Sequence, residues 1–179
     1  CSSYLPNWRP GRNYKNSVSA KPEFGGGVLL ELSHELDYLI WLFGDFLEVQ
    51  SKIIKSNNLD IECSDTAYII SKHPNDFICS IHLDFNSQIS TRECYITGSE
   101  GTIIWDGVNQ IVSYNGIKGY FKKTFNIKKD SMYQNQILNF FKSCKDQEIP
   151  SVKLLDSFKV MEAIELIEKS NRTGKIVVR

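Results

Sequence analysis

Within GGGVLLELSHELDYLIWLFG, Gly25 to Gly44, one histidine stands between two carboxylates at helical spacing. Glu31 lies three residues before His34 and Asp37 three after it. Residues three apart on an α-helix are surface neighbours, so all three can share one side. A carboxylate beside an imidazole holds its tautomer and raises its proton affinity, as a positioned general acid/base requires. The competing reading is a structural histidine, hydrogen-bonded in a core. A metal centre fits less well, because His73 and His82 fall in or beside strand-like sequence elsewhere, His82 on a solvent face. Glu35 reads as an ordinary surface or helix-end contact.

A second cluster precedes that helix. Trp8, Arg9, Arg12 and Tyr14 form a compact aromatic and basic group within YLPNWRPGRNY. One reading is a packed loop with solvated arginines. The other is a wall that stacks on a sugar ring and pairs with a carboxylate or phosphate. Tyr4, in the same aromatic segment, and Glu31 complete the candidate substrate-binding set; His34 and Asp37 are the candidate catalytic pair.

The elements that must position these groups follow from periodicity. Residues 1–24 lack periodicity and carry Tyr4, Pro6, Trp8, Pro10, Gly11, Tyr14 and Pro22, an irregular aromatic segment that suits a loop packed on a surface. A helix is expected from about Gly27 to Phe43, closed by Gly44, with leucines on nearly every face and hence mostly buried. From 45 to 127 the period becomes two. Phe77, Cys79, Ile81, Leu83 and Phe85 alternate with polar residues, and weaker alternation surrounds Val49–Ile53, Asp65–Ser71, Ile89–Thr97 and Thr102–Trp105. Asp106-Gly107 and Asn115-Gly116 are tight-hairpin dipeptides, and strands joined by such turns are antiparallel. Over 130–179, two helices are marked by Tyr133, Ile137, Phe140, Phe141 and Cys144 and by Leu154, Phe158, Met161, Ile164 and Ile167, followed by a short strand. The class is therefore α+β: an open, mainly antiparallel sheet of about six to eight strands with helices on one face.

The glycine triplet invites a dinucleotide-loop reading, since Gly25 and Gly27 are spaced as the first two glycines of GxGxxG. Leu30 takes the third place, however, and the preceding AKPEF contains Pro22 and is no hydrophobic strand. A flexible entry that lets the helix pack closely explains the triplet better. Composition narrows the partners. Lys+Arg and Asp+Glu both number 21, and this zero net charge disfavours nucleic acid or an anionic membrane. The apolar run Leu36–Phe43 is too short and interrupted to span a bilayer. Five scattered cysteines, without metal-type spacing, fit reduced thiols in a cytoplasmic protein. Asn171-Arg172-Thr173 is a weak glycosylation match. Cys1 at the first position suggests a piece of something longer, or less well an acylated lipoprotein, whose cysteine a polar tether would normally follow.

Taken in order, four segments carry a resemblance. They are YLPNWRPGRNYKNSVSAKPEFGGGVLLELSHELDYLIWLFGD, TRECYITGSEGTIIWD, MYQNQILNFFKSC and LLDSFKVMEAIELIEKSNRTGKIVVR. They resemble the C-terminal domain of Gfo/Idh/MocA-type oxidoreductases, most of all the branch found with bacterial surface-polysaccharide and nonulosonic-acid sugar synthesis. The likeness covers essentially the whole chain, and no single motif carries it. It implies a two-domain enzyme whose N-terminal Rossmann domain, absent from these residues, binds NAD or NADP and supplies a catalytic lysine in a Glu-Lys-Pro motif. Lys21-Pro22 follows Ala20 and is not read as that lysine. It implies that the C-terminal domain holds a sugar or nucleotide-sugar and forms a homodimer or homotetramer through its open sheet face, an interface on the order of 2,000 Å². Residue by residue, it implies that His34 is the proton partner of the sugar hydroxyl and that Asp37 orients His34 or contacts substrate. The family's acid or amide four before the histidine falls on Leu30 here, with Glu31 one residue off. This chain alone is expected to bind no cofactor and to be inactive. The alternative is a stand-alone sheet module for association or sugar binding.

Overall fold

The computed structural model describes residues 1–128, 130–146 and 149–179. The alternation of apolar and polar side chains does produce strands: β1 Glu48–Ile54, β2 Thr66–Lys72 and β3 Ile78–Asp84, then β4 Glu93–Gly98, β5 Gly101–Asp106, β6 Ile111–Gly116 and β7 Gly119–Thr124. The helices are α1 Val28–Glu31, α2 Ser33–Phe43, α3 Ser131–Asp146 and α4 Leu154–Thr173, and β8 Val177–Val178 closes the chain. The α+β class and the number of strands are as the periodicity implies. The strands are divided between two antiparallel four-stranded sheets, ordered β3-β2-β1-β8 and β4-β5-β6-β7. Two compact units result, residues 1–90 with 155–179, and residues 91–154.

In the first unit α1, α2 and α4 cover one face of the sheet. Val49, Ala67, Ile69, Ile81 and Leu83 point inward and meet Val28, Leu36, Leu39, Ile164 and Ile167 in one core. Burying an aliphatic side chain of this size stabilises by about 1.5–3 kcal/mol, so this face fixes the register of all three long strands. Because β8 is two residues long, the β1 edge would lie open beyond Val49. Helix α4 closes it with side chains: Ser170 Oγ accepts from the Ser51 N–H at 3.0 Å and Asn171 Oδ1 from the Ile53 N–H at 2.8 Å. Asn171, the sequon residue, is thereby committed to strand pairing. The opposite sheet face is bare: Tyr68, Ile70 and Ile78 are exposed, and His82 stacks on Tyr68 at 4.6 Å between ring centroids.

Residues 1–24 form four single 3₁₀ turns packed on this core, with Ser2 bridging Asp84 in parallel and Trp8 edge-on to Phe85 at 5.1 Å. In the second unit the hairpins form where expected, but the turn positions shift. The β6–β7 turn is Ile117-Lys118, with positive φ at Gly119 rather than in Asn115-Gly116. Gly116 is required by space instead, since a Cβ there would lie 2.2 Å from the Glu100 carbonyl oxygen. The apolar stripe of α3, including Tyr133, Ile137, Phe140 and Phe141, is exposed. All five cysteines are free thiols. Among the described residues no helix is long and apolar enough to cross a membrane.

His73 is a core histidine of the structural kind. It is fully buried, its Nδ1–H donates to the Gly44 carbonyl at 2.8 Å, and its Nε2 lies 3.0 Å from the Ser71 hydroxyl, which donates to it. Phe43, Phe46 and Phe77 surround the ring. Burial lowers its pKa from the ordinary 6.5, against the opposing pull of the Gly44 bond and the Asp45 charge. The unfolded chain therefore takes up a proton there before the folded one does, and stability falls as pH drops below about 6.5. Chemical denaturation between pH 8 and pH 5 should show this decline, and His73→Gln, although less stable throughout, should show a flatter one.

Candidate functional site

The helix that carries the candidate acid/base is not continuous. Its entry is a packed corner, not a flexible hinge. Gly25 and Gly27 adopt φ of 78° and 108°, and a Cβ on Gly26 would lie 2.3 Å from the Val18 carbonyl oxygen. The N–H groups of the triplet are spent inside the protein: Gly25 donates to Pro22, Gly26 to Lys21 and Gly27 to Ser19. A phosphate-binding loop needs such groups free and pointing outward. The triplet is therefore no cradle for a dinucleotide.

One turn later the helix breaks at Leu32, with φ −102° and ψ 21°, separating α1 from α2. The burial differs from the expectation of apolar residues on nearly every face. Leu29, Leu32, Leu36, Leu39 and Ile40 are buried, while Leu30, His34, Asp37 and Trp41 form an exposed stripe at spacings of four, three and four. Trp41 is 82% exposed, far beyond what a folded-core role would leave.

His34 and Asp37 thus share a side, as their spacing implies, but neither Asp37 nor Glu31 bonds to the imidazole. Its partner is Glu35. His34 Nε2 lies 3.0 Å from Glu35 Oε1, and Glu35 is only 3% exposed. This corrects the assignment of Glu35 to the surface. Adjacent helical residues do not ordinarily face each other, so spacing rules pass over the pair. His34 stands at the second position of α2, just after the break at Leu32. The contact is an ion-pair distance between the Nε2 edge of the ring and the carboxylate, which leaves Nδ1 as the ring nitrogen not engaged by Glu35. Among the described residues the Asp37 and Glu31 side chains make no hydrogen bond or ion pair, and Glu31 is half-buried on α1.

The aromatic-basic cluster folds into a cavity of about 420 Å³, a volume typical of small-molecule sites. Trp8, Arg9, Arg12 and Tyr14 all line it, whereas Tyr4, Glu31, His34 and Asp37 do not. Its walls are held internally. Trp8 Nε1 donates to Ser3 Oγ at 2.9 Å, the Asp60 N–H donates to the Tyr14 hydroxyl, and Lys15 pairs with Asp60 at 2.6 Å. Ser19, which the sequence did not single out, also lines the cavity; it is 1% exposed and its hydroxyl has no partner. A buried, unbonded hydroxyl costs about 1–3 kcal/mol, and sequence offers no signal for it. Among the described residues no group of three His, Cys, Asp or Glu side chains is placed to hold a metal ion.

The comparisons decide the family. Residues 3–179 match the oxidoreductase family, C-terminal alpha/beta domain, of the Gfo/Idh/MocA group. This chain belongs to that family. No curated protein sequence is significantly similar to it. Among solved structures, a levoglucosan dehydrogenase in complex with NADH and levoglucosan aligns with 99% of this chain and 58% of its own, at TM-score 0.84 and 16% identity. The aldose-aldose oxidoreductase from Caulobacter crescentus, complexed with glycerol, aligns over 99% and 53% at TM-score 0.81 and 14% identity. An oxidoreductase from Agrobacterium radiobacter in complex with NAD+, L-tartaric acid and magnesium aligns over 99% and 55% at TM-score 0.77 and 17% identity. The Gfo/Idh/MocA chain described here therefore spans about half the length of these relatives, and at such identities they share its fold.

The Glu35 contact has a direct spectroscopic consequence. Long-range ¹H–¹⁵N NMR of the His34 ring should show the Nε2–H tautomer in the neutral state. Glu35→Leu, which removes the acceptor, should give a mixture of tautomers; an unchanged pure Nε2–H signal would disconnect Glu35 from the ring.

Proposed function

We propose that this chain is the substrate-binding and association part of an NAD(P)-dependent oxidoreductase acting on a sugar or sugar derivative. The observation that carries this is a histidine on an exposed helical stripe, anchored from behind by a buried carboxylate. A histidine with no task beyond solubility does not need a buried carboxylate beside it. Oxidation of a carbinol removes a hydride from carbon and a proton from oxygen. The residues here serve the second half: Nδ1 of His34 accepts the hydroxyl proton, and Glu35 stabilises the resulting imidazolium. Asp37, one turn along the same stripe and unpaired, is free to accept a hydrogen bond from a neighbouring sugar hydroxyl. The cavity lined by Trp8 and Tyr14, separate from the His34 and Asp37 side chains, is assigned to a further part of the substrate.

The glycine corner does not fit a dinucleotide, so the cofactor would be held by residues outside this chain. The levoglucosan dehydrogenase neighbours, in complex with NADH, support that reading of the whole protein. The resemblance to the surface-polysaccharide and nonulosonic-acid branch makes an activated or acidic sugar the substrate to test first. In the full-length protein, His34→Ala should lower kcat by about 10²–10⁴-fold, the usual weight of a general acid/base, with NAD(P)H affinity unchanged. An undiminished kcat would remove His34 from the chemistry.

Association is assigned to the bare sheet face. Tyr68, Ile70 and Ile78 are exposed there on adjacent strands in register, with Lys72 opposite Ile78 and Ser80 opposite Ile70. A second copy covering this face would bury an apolar surface that a monomer leaves in water. Tyr68→Glu should shift the full-length protein toward a smaller species in sedimentation velocity; a wild-type protein already monomeric at micromolar concentration would contradict the assignment.

A further inference from the structure

We infer that a second cavity, between α1 and α4, seats the hydroxyl-bearing ring of the substrate, and that Asn171 orients that ring. This rests on the sugar-oxidoreductase reading for the chemistry of the ligand; the cavity is placed by its own geometry. It measures about 310 Å³ and is lined by Leu30 of α1, Ile53 of β1, Ser64 before β2, and Glu168, Asn171 and Arg172 of α4. That is within the range of small-molecule sites. Leu30 is also the first residue of the exposed stripe, four before His34. A ligand touching Leu30 therefore has His34 as the next polar side chain along the stripe. Neither the cavity of residues 5–19 nor the hollow on the sheet face shares a residue with that stripe.

The orientation of Asn171 is fixed by the strand beneath it. Its Oδ1 accepts from the Ile53 N–H at 2.8 Å, and a backbone N–H can only donate, so the oxygen end of the amide faces β1. The Nδ2 end has no partner among the described residues, yet it is not sealed from solvent as the Ser19 hydroxyl is. Ser170, next to it, shows what a purely structural cap of the same edge looks like. Its hydroxyl is fully used, accepting from the Ser51 N–H at 3.0 Å and donating to the Lys175 carbonyl at 2.7 Å. Ser64 repeats the Asn171 pattern. Its carbonyl is held by the Val28 N–H at 3.0 Å, whereas its hydroxyl is unpaired and open.

Glu168 and Arg172 stand four apart on α4 with the acid first, the order that favours an ion pair on a helix. No such pair forms, and both side chains line the cavity. Exposed charges alone would say little, since they are commonly solvated. The anchored amide with its open donor is what makes this wall a built one. The wall offers an amide donor, a hydroxyl, a carboxylate and a guanidinium, with the two charges offsetting each other. A sugar hydroxyl both donates and accepts, so adjacent ring hydroxyls answer such a set, whereas an anion would meet Glu168 as well as Arg172. Leu30 and Ile53 supply apolar surface for the C–H face of the ring.

Isothermal titration of the full-length protein with glucose, galactose, mannose and levoglucosan tests this. At least one of these neutral sugars should bind in the millimolar range or better. Asn171→Asp keeps an acceptor for the Ile53 N–H and removes the donor, so it should weaken that sugar about fivefold or more, the weight of one hydrogen bond. Its melting temperature should stay closer to wild type than that of Asn171→Ala, which loses the strand contact as well. Leu30→Trp, which fills the cavity from an exposed position, should abolish binding with the melting temperature unchanged. In turnover, Asn171→Asp should raise KM with little change in kcat. Absence of binding by all four sugars, or wild-type affinity in either Asn171→Asp or Leu30→Trp, overturns the assignment. Loss of turnover in His34→Ala with an unchanged KM in Asn171→Asp would sink the subsite and leave the oxidoreductase reading standing. Sugar binding that both variants weaken, in a protein that turns over no sugar, would keep the subsite and count against that reading instead.

Discussion

The first unit depends on the lack of room at Gly26. A Cβ at that position would sit 2.3 Å from the Val18 carbonyl oxygen and 2.7 Å from that of Lys21, both backbone atoms that cannot swing away. The contact exists because two separate strands of hydrogen bonding meet there. The Gly27 N–H reaches Ser19, the Val28 N–H reaches Ser64, and the Glu62 N–H reaches Ala20. One corner thus ties the cavity-forming segment, the loop after β1 and the start of α1 together. Any side chain at Gly26 would push the Ser19 wall away from the helix, disturbing the cavity and the phase of the stripe at once.

That phase is set a second time at Leu32. Leu29, Leu32, Leu36, Leu39 and Ile40 are drawn into the core at about 1.5–3 kcal/mol each, so they dictate how α1 and α2 are rotated. The break lets both short helices satisfy this demand while placing His34 in the first turn of α2. There Glu35, whose neighbour Leu36 is fully buried, is carried inward and its carboxylate finds the imidazole as partner. A buried carboxylate without a donor would be costly. The same apolar packing that builds the fold therefore supplies the histidine's orienting group. His34, Asp37 and Trp41 contribute little to the core, which leaves their identities open to other demands.

How much of this was legible in the sequence divides along physical lines. The strands of β1–β3 and their inward residues were readable because period-two alternation is a direct consequence of burying one face. The shared side of His34 and Asp37 was readable for the parallel reason in a helix. The glycine triplet was recognisably not a cofactor loop, since AKPEF cannot form the preceding strand. What escaped depends on contacts distant in sequence or on single backbone angles. The His34–Glu35 pair joins adjacent residues that helical spacing keeps apart, and no residue type announces the Leu32 break just before them. The division into two sheets turns on where β3 stops pairing, and the shift of the β6–β7 turn to Ile117-Lys118 on the close approach of Gly116 to Glu100. Ser19 was invisible because nothing in a sequence marks a hydroxyl that will be buried without a partner.

The two exposed surfaces of the first unit differ in chemistry, and that difference supports assigning them different tasks. The sheet face sets apolar Ile70, Ile78 and Tyr68 beside Lys52, Ser80 and His82 in a flat register of three strands. Its charged groups lie among its apolar ones without a buried anchor, as suits a surface that meets a broad partner and tolerates variation at its rim. The helical stripe is narrower and its one imidazole is fixed from inside by a carboxylate that water hardly reaches. Fixing a ring lowers its entropy and helps association little, but it is what proton transfer needs, because the acceptor lone pair must already point at the reacting hydroxyl. On that physical ground the stripe, and not the larger apolar face, is the place to look for chemistry.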